Sequence, residues 1–178
     1  MNNRVRASVF IMAIAALSVC ADGPVSYPVG AFIHAWSICG PFEARGVLER
    51  VIEDEGALDP AEIEAVNGVA WKTLDSKTDE INLESAAAFG PHDRVVAFAF
   101  AELVYEDESD VILGLGSDDS VMAWWNGRQV LVQDVLRGVK IGEDQVHLRT
   151  RKGRNTLLLK IYDEGGGWGF AADLRPCP

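Results

Sequence analysis

The sequence has no excess of basic charge, few cysteines and no long apolar run, and each absence excludes a class of protein. Sixteen Lys and Arg residues stand against 27 Asp and Glu residues, which gives a formal net charge of −11. The chain therefore lacks the basic surface that binds nucleic-acid phosphates or anionic lipid headgroups. Its three cysteines form no Cys-x-x-Cys pair and no Cys/His cluster, which argues against a zinc site. The length of 178 residues and the 48% hydrophobic content are typical of one globular domain.

Catalytic signatures are also missing from the sequence. There is no Gly-x-Ser-x-Gly, His-Glu-x-x-His or Walker A motif. The three histidines, His34, His92 and His147, are scattered along the chain, and we interpret them as structural or surface residues. Carboxylates are abundant, but a pair of them is weak support for a hidden glycosidase site in a chain this acidic. The sequence predicts a non-catalytic protein.

The longest apolar run lies at the amino terminus. Residues 7–19 are apolar and follow Arg4 and Arg6, and the run is shorter than the ~20 residues that span a bilayer. Together with the small residues that follow it, this pattern predicts a signal peptide over residues 1–21 and a secreted or periplasmic protein without a transmembrane span in the mature chain. The alternative is a lipoprotein acylated at Cys20.

Removal of the signal peptide would leave two cysteines, Cys39 and Cys177. In an oxidising compartment they are candidates for a disulfide that joins the first strand to the carboxyl terminus. Sequence spacing does not establish disulfide geometry, so two free cysteines are the alternative.

From residue 31 onward, runs rich in β-branched and aromatic residues alternate with turn residues at regular spacing. We predict ten strands, at residues 31–39, 69–74, 81–83, 94–104, 110–116, 120–126, 129–133, 145–149, 155–162 and 168–174. Asn126-Gly127 is the strongest hairpin signal, since both residues tolerate positive φ. The pattern predicts one all-β domain over residues 31–178, an antiparallel sandwich or barrel, behind an extended leader at residues 22–30.

Residues 43–66 follow a different pattern. Leu48, Val51 and Ile52 have helical i, i+3, i+4 spacing, and Asp59-Pro60 has the chemistry of a capped helical turn. We therefore predict a short helical insertion after the first strand.

Four motifs occur in order along the chain: residues 36–42 (WSICGPF), 115–127 (LGSDDSVMAWWNG), 153–160 (GRNTLLLK) and 167–170 (GWGF). This series resembles the galactose-binding-like jelly-roll modules of secreted bacterial glycoside hydrolases, including the sugar-binding domain of family 2 enzymes. The resemblance covers nearly all of the expected mature chain. It implies an antiparallel jelly-roll β-sandwich that binds carbohydrate.

The 120–126 strand supplies two adjacent tryptophans. Alternation places Trp125 in the core and Trp124 on the outer side, and sugars stack their C–H faces on exposed indoles. Trp124 and Trp168 are therefore candidate sugar platforms, with Asp119 and Asn126 as partners for hydroxyl groups. The alternative is that both tryptophans are packed structural residues.

Asp118-Asp119 is similar to the paired aspartates of PA14-type lectin domains, where they help to hold calcium. Calcium takes carboxylate and carbonyl oxygens from flexible loops, so Asp118 and Asp119 are candidate calcium ligands. Ser120 stands where those patterns favour glycine. The alternative is that both aspartates cap a turn through backbone amides.

The sequence thus favours a secreted, non-catalytic, carbohydrate-binding-like module with calcium as a candidate cofactor. The alternative is a structural or protein-interaction sandwich of the cell envelope, without sugar affinity. Exposure of the two candidate tryptophans would distinguish these hypotheses.

Overall fold

A computed structural model describes residues 30–178 of the chain. The predicted signal peptide, the alternative acylation site Cys20 and nearly all of the predicted leader lie outside the described residues. Within the described range, no helix is long and apolar enough to cross a membrane.

The described chain is built almost entirely from β-strands. In order they are β1 (Ala31–Phe32), β2 (Ala35–Glu43), β3 (Ala65–Val66), β4 (Val69–Ala70), β5 (Lys72–Asp75), β6 (Ile81–Asn82), β7 (Val95–Tyr105), β8 (Asp110–Asp118), β9 (Ser120–Trp125), β10 (Arg128–Gln133), β11 (Asp144–Arg149), β12 (Gly153–Asp163) and β13 (Gly169–Pro176). The predicted strands are confirmed, and the 31–39 and 69–74 strands each divide in two.

Two antiparallel sheets pack into a sandwich, which confirms the predicted jelly-roll β-sandwich class. One sheet has six strands in the order β10-β9-β12-β7-β2-β5, and the other has the order β1-β13-β8-β11, with β6 also paired to β13. β3 and β4 form a separate small hairpin. The main core lies between the sheets and includes Trp36, Trp125 and Phe170, so the predicted inward position of Trp125 is confirmed.

The outer face of the six-stranded sheet is covered as well. Phe98 and Phe100 of β7 and Leu158 of β12 point away from the main core and form a second apolar cluster with Leu58 and Val66 of the connection between β2 and β5. Because this connection forms a third layer, the central strands β7 and β12 are buried on both faces.

The predicted helical insertion is wrong for this connection, whose helical content is one 3₁₀ turn, Glu55–Ala57. The Val51 N–H donates to the Glu55 carboxylate at 2.8 Å rather than to a carbonyl one helical turn back. Val51 and Ile52 pack on the outer face of the six-stranded sheet, while Leu48 stays exposed. The spacing of these apolar residues therefore reflects packing of an irregular segment on a sheet and not the face of a helix. The Asp59 turn is confirmed, because its carboxylate accepts the Ala61 N–H at 3.0 Å.

The hairpin prediction at Asn126-Gly127 is confirmed. Asn126 has φ 51° and Gly127 has φ 77°, as a type I′ turn between β9 and β10 requires. The Asn126 side chain accepts the Thr156 N–H at 3.0 Å and donates to Asn155 at 3.2 Å, so it also fastens the hairpin to β12.

The predicted disulfide is wrong, since Cys39 and Cys177 are both free. Cys39 lies in the outer cluster of the six-stranded sheet, with its thiol on the Val69 carbonyl at 3.2 Å. Cys177 follows β13 of the other sheet and lies 3.7 Å from His147 Nδ1. Two packed sheets are ~10 Å apart, so an outward-facing thiol on one cannot reach the other.

Candidate functional site

Three aspartates meet at one end of the sandwich. Asp118 ends β8, Asp119 follows it, and Asp163 ends β12. The strand register brings them together, because Tyr162 of β12 lies opposite Ser120 of β9. One carboxylate oxygen from each of the three lies within 4.8 Å of the others. We call this group the aspartate triad.

Asp163 is the most unusual member of the triad. Its side chain is fully buried, and neither carboxylate oxygen has a hydrogen-bond partner among residues 30–178. Burial, followed by the charges of Asp119 and Asp93, raises the pKa of Asp163 from its ordinary 3.8 to about 7. A buried carboxylate without a partner is costly, so this position favours either a proton or a metal cation.

The other two triad members have different surroundings. Asp118 is partly exposed, and desolvation together with the charges of Asp119 and Glu80 raises its pKa to about 6. The buried Asp119 accepts the backbone N–H of Arg137 at 2.8 Å and that of Glu164 at 3.0 Å. The peptide between Asp118 and Asp119 is cis.

No basic side chain of the described chain forms an ion pair with the triad. Arg137 contacts Asp119 through its backbone N–H. Its guanidinium, however, binds Asp144, Glu143 and Ser117. The triad therefore combines three carboxylates without a cationic partner, which is the hard-oxygen donor set that Ca²⁺ prefers.

A glycine-rich loop closes the site. Residues 164–167 read Glu-Gly-Gly-Gly, and a Cβ at Gly167 would lie 2.7 Å from Asp118 Oδ2. A larger residue at position 167 would enter the space beside this carboxylate. The backbone of the loop between β12 and β13 thus approaches the triad closely.

The sequence identified two of the three triad residues. Asp118 and Asp119 were predicted as calcium ligands, and both lie in the triad. The alternative is right for Asp119 in that its two oxygens accept backbone N–H groups, but these belong to the distant residues Arg137 and Glu164 and not to a local turn. Asp163 was missed. The sequence feature that could have identified Asp163 is its position. It is an acidic residue between a predicted strand, 155–162, and the glycine-rich residues 164–167.

The two predicted sugar platforms are buried. Trp124 is 6% exposed and Trp168 is 2% exposed, so neither presents an indole face to a ligand, and that prediction is wrong. Trp168 stacks on Phe89 at 5.5 Å between ring centroids and belongs to the main core. Trp124 does point outward, as alternation predicted, but the connection between β2 and β5 covers it.

The predicted sugar-binding residues also do not form one group. Asp119 immediately precedes β9, and Asn126 follows the end of that strand, seven residues further on at ~3.3 Å each. The amide of Asn126 is already bonded to Thr156 and Asn155. Of these two residues, only Asp119 belongs to the aspartate triad.

No protein-family model matches this chain, and no curated protein sequence matches it. Its fold is similar to part of the β-glucosidase from Kluyveromyces marxianus, with 13% identity and a TM-score of 0.51. That match covers 81% of this chain and 16% of the β-glucosidase, so the chain spans about a sixth of that enzyme.

Two smaller proteins give weaker matches. The PA14 domain of the antifreeze protein MpAFP matches with 15% identity and a TM-score of 0.47, over 86% of this chain and 87% of that domain. The PA14 sugar-binding domain from an RTX adhesin matches with 13% identity and a TM-score of 0.39, over 81% and 68% respectively. At these identities the likeness concerns the fold.

Proposed function

We propose that this protein is a secreted, non-catalytic module that binds carbohydrate through a calcium ion held by the aspartate triad. The observation that carries the proposal is the buried carboxylate of Asp163, which has no partner in the described chain and lies against Asp118 and Asp119. A cation is the partner that these three charges lack. Calcium supplies open coordination positions, which the neighbouring hydroxyl groups of a sugar can fill.

Each residue of the triad would contribute to ion binding in a different way. Asp163 would offer a carboxylate oxygen from the interior, and Asp118 would offer one from its partly exposed position. Asp119 is fixed by its backbone hydrogen bonds to Arg137 and Glu164, so it ties both neighbouring loops to the ion. A cation would thereby rigidify the loops that surround the ligand.

An apolar contact for the sugar is present close to the triad, although it is not a tryptophan. The loop between β10 and β11 exposes Val135, Leu136 and Ile141, with Leu136 72% exposed. Arg137 of the same loop donates its N–H to Asp119. Exposed apolar side chains beside a polar site can contact the C–H face of a sugar ring.

The motif series supports a binding role over hydrolysis. From Trp36 to Phe170 it resembles sugar-binding modules rather than catalytic domains. Export through residues 1–21 stays a prediction. It would bring the protein into a compartment that is rich in calcium.

Calorimetry and glycan arrays test the proposal. The purified domain, treated with EDTA and dialysed, is titrated with CaCl₂, and its array binding is measured with calcium and with EDTA. We expect one calcium site that Asp163→Asn removes and that the exposed control Asp107→Asn retains, together with glycan binding that calcium strengthens and EDTA reduces. The absence of calcium binding, or glycan binding that EDTA leaves unchanged, would contradict the proposal.

The second candidate is a structural or protein-interaction module of the cell envelope. Burial of Trp124 and Trp168 favours it, because it removes the two predicted sugar platforms. Calcium binding without binding to any glycan on the array would favour this role over the first.

A further inference from the structure

A second concave site lies away from the aspartate triad. It is a cavity of about 280 Å³ between the β2–β5 connection and the hairpin of β9 and β10. The lining residues that matter for its chemistry are Arg50, Glu53, Asp54, Met122, Trp124 and Gln129. We call this cavity the insertion pocket. Its volume is near the lower end of ligand cavities, which corresponds to a ligand of about one sugar ring.

The wall of the insertion pocket is held in place by a buried ion pair. Lys160 of β12 is fully buried, and its Nζ donates to Glu55 Oε1 at 2.7 Å and to the carbonyl of Glu49. The same Glu55 oxygen accepts the Val51 N–H at 2.8 Å. Because Lys160 lies opposite Met122 in the strand register, this pair fixes the connection beside the pocket floor.

A close contact with the backbone leaves only an edge of Trp124 at the pocket. A Cβ at Gly56 would lie 2.8 Å from Trp124 Cδ1 and 2.9 Å from its Nε1. The indole N–H makes no hydrogen bond within the described chain. Trp124 therefore offers the pocket a hydrogen-bond donor and an apolar edge, and no stacking face.

The charged residues around the pocket carry both signs. Glu53, Asp54 and Arg50 are exposed, and none of their charged groups is engaged in an ion pair or hydrogen bond inside residues 30–178. A cation would be attracted by the two carboxylates and repelled by Arg50, and an anion would meet the reverse. Hydroxyl groups both donate and accept hydrogen bonds, so a polyhydroxylated ring can use all three side chains together with the apolar surface of Met122.

We infer that the insertion pocket is a second saccharide site, which binds a single neutral sugar ring without calcium. It uses residues of the β2–β5 connection and the β9–β10 hairpin, and none of the triad. The inference stands independently of the calcium-dependent site proposed above.

The test uses three probes, the methyl β-glycosides of glucose, galactose and mannose, in buffer that contains EDTA. Saturation-transfer NMR and calorimetry measure binding to the wild-type protein and to five variants. We expect at least one glycoside to bind without calcium. Arg50→Ala and Asp54→Asn each remove a charged hydrogen-bonding group and should weaken this binding about tenfold. The matched exposed controls, Arg151→Ala and Glu62→Gln, should not.

The inference would be overturned if no glycoside binds in EDTA, or if binding appears only when calcium is added. It would also be overturned if Arg50→Ala and Asp54→Asn bind as well as the wild type, or if the two control variants lose binding to the same extent. Asp163→Asn separates the two proposals. It should remove calcium-dependent glycan binding and leave the glycoside affinity in EDTA unchanged. Loss of both kinds of binding in this variant, with its fold intact by circular dichroism, would also overturn the inference.

Discussion

Replacing Asp163 with asparagine should stabilise the metal-free protein and destabilise the calcium-loaded protein relative to the wild type. The native carboxylate is buried beside Asp118 and Asp119 and has no partner in the described residues. Asparagine has nearly the same shape and no charge, and its amide N–H₂ can donate to either neighbouring carboxylate. The substitution therefore removes electrostatic repulsion but also removes a calcium ligand.

The size of the effect follows from the pKa of Asp163. Raising this pKa from 3.8 to about 7 corresponds to ~4 kcal/mol of disfavoured ionisation. Because the three carboxylates titrate together, we expect about half of this, ~2 kcal/mol, as the gain at neutral or higher pH. For a domain of this size that gain is ~4–8 °C in Tm.

The dependence on pH has a definite sign. Between pH 3.8 and about 7 the native Asp163 holds its proton while the unfolded chain has lost it, so wild-type stability falls as pH rises through this window. Below the window both states are protonated, and above it both are ionised. The Asp163→Asn variant should lack this part of the decline, and its advantage should vanish at the acid end.

Circular dichroism melts in EDTA and in excess calcium measure both effects. Calcium at 100 times its dissociation constant should stabilise the wild-type protein by ~2.7 kcal/mol and leave the variant unchanged, so their order of stability reverses. The exposed control Asp107→Asn should follow the wild type in both buffers. A variant less stable than the wild type in EDTA at neutral pH, or one still stabilised by calcium, would refute the reasoning.

Three other predictions test the structure. Lys160→Met leaves the Glu55 carboxylate buried without its partner, and it should lower the free energy of unfolding in urea by ~3 kcal/mol. The double variant with Glu55→Gln should recover most of this loss. Equal stability of the single and double variants would contradict this. Asn126→Ala removes two side-chain hydrogen bonds and strains a turn with φ 51°, so unfolding should become easier by ~1–3 kcal/mol; an unchanged urea midpoint would count against it. Cys177 should react with a thiol reagent in the native protein and Cys39 only after unfolding, and a melting temperature lowered by reductant would contradict the free thiols.

The strands were the most predictable part of the fold. Alternating apolar residues and turn chemistry placed β7 to β13 to within a few residues, because both signals act over short stretches of chain. At Gly40-Pro41 the local signal indicated the end of a strand, yet β2 continues to Glu43 with a shifted register against β7. Pairing to a long neighbour outweighed a proline that cannot donate to the ladder.

Local sequence patterns were enough to predict the all-β sandwich, the Asn126-Gly127 hairpin and the inward and outward sides of β9. The tertiary structure was needed to show what covers each outward side chain. It placed the β2–β5 connection over Trp124 and buried Trp168 in the core, and it kept Cys39 and Cys177 on separate sheets. It also brought Asp163 to Asp118 and Asp119, which are more than 40 positions away in sequence. Periodicity encodes the direction of a side chain, whereas burial, charge without a partner and the contents of a cavity depend on segments distant in sequence.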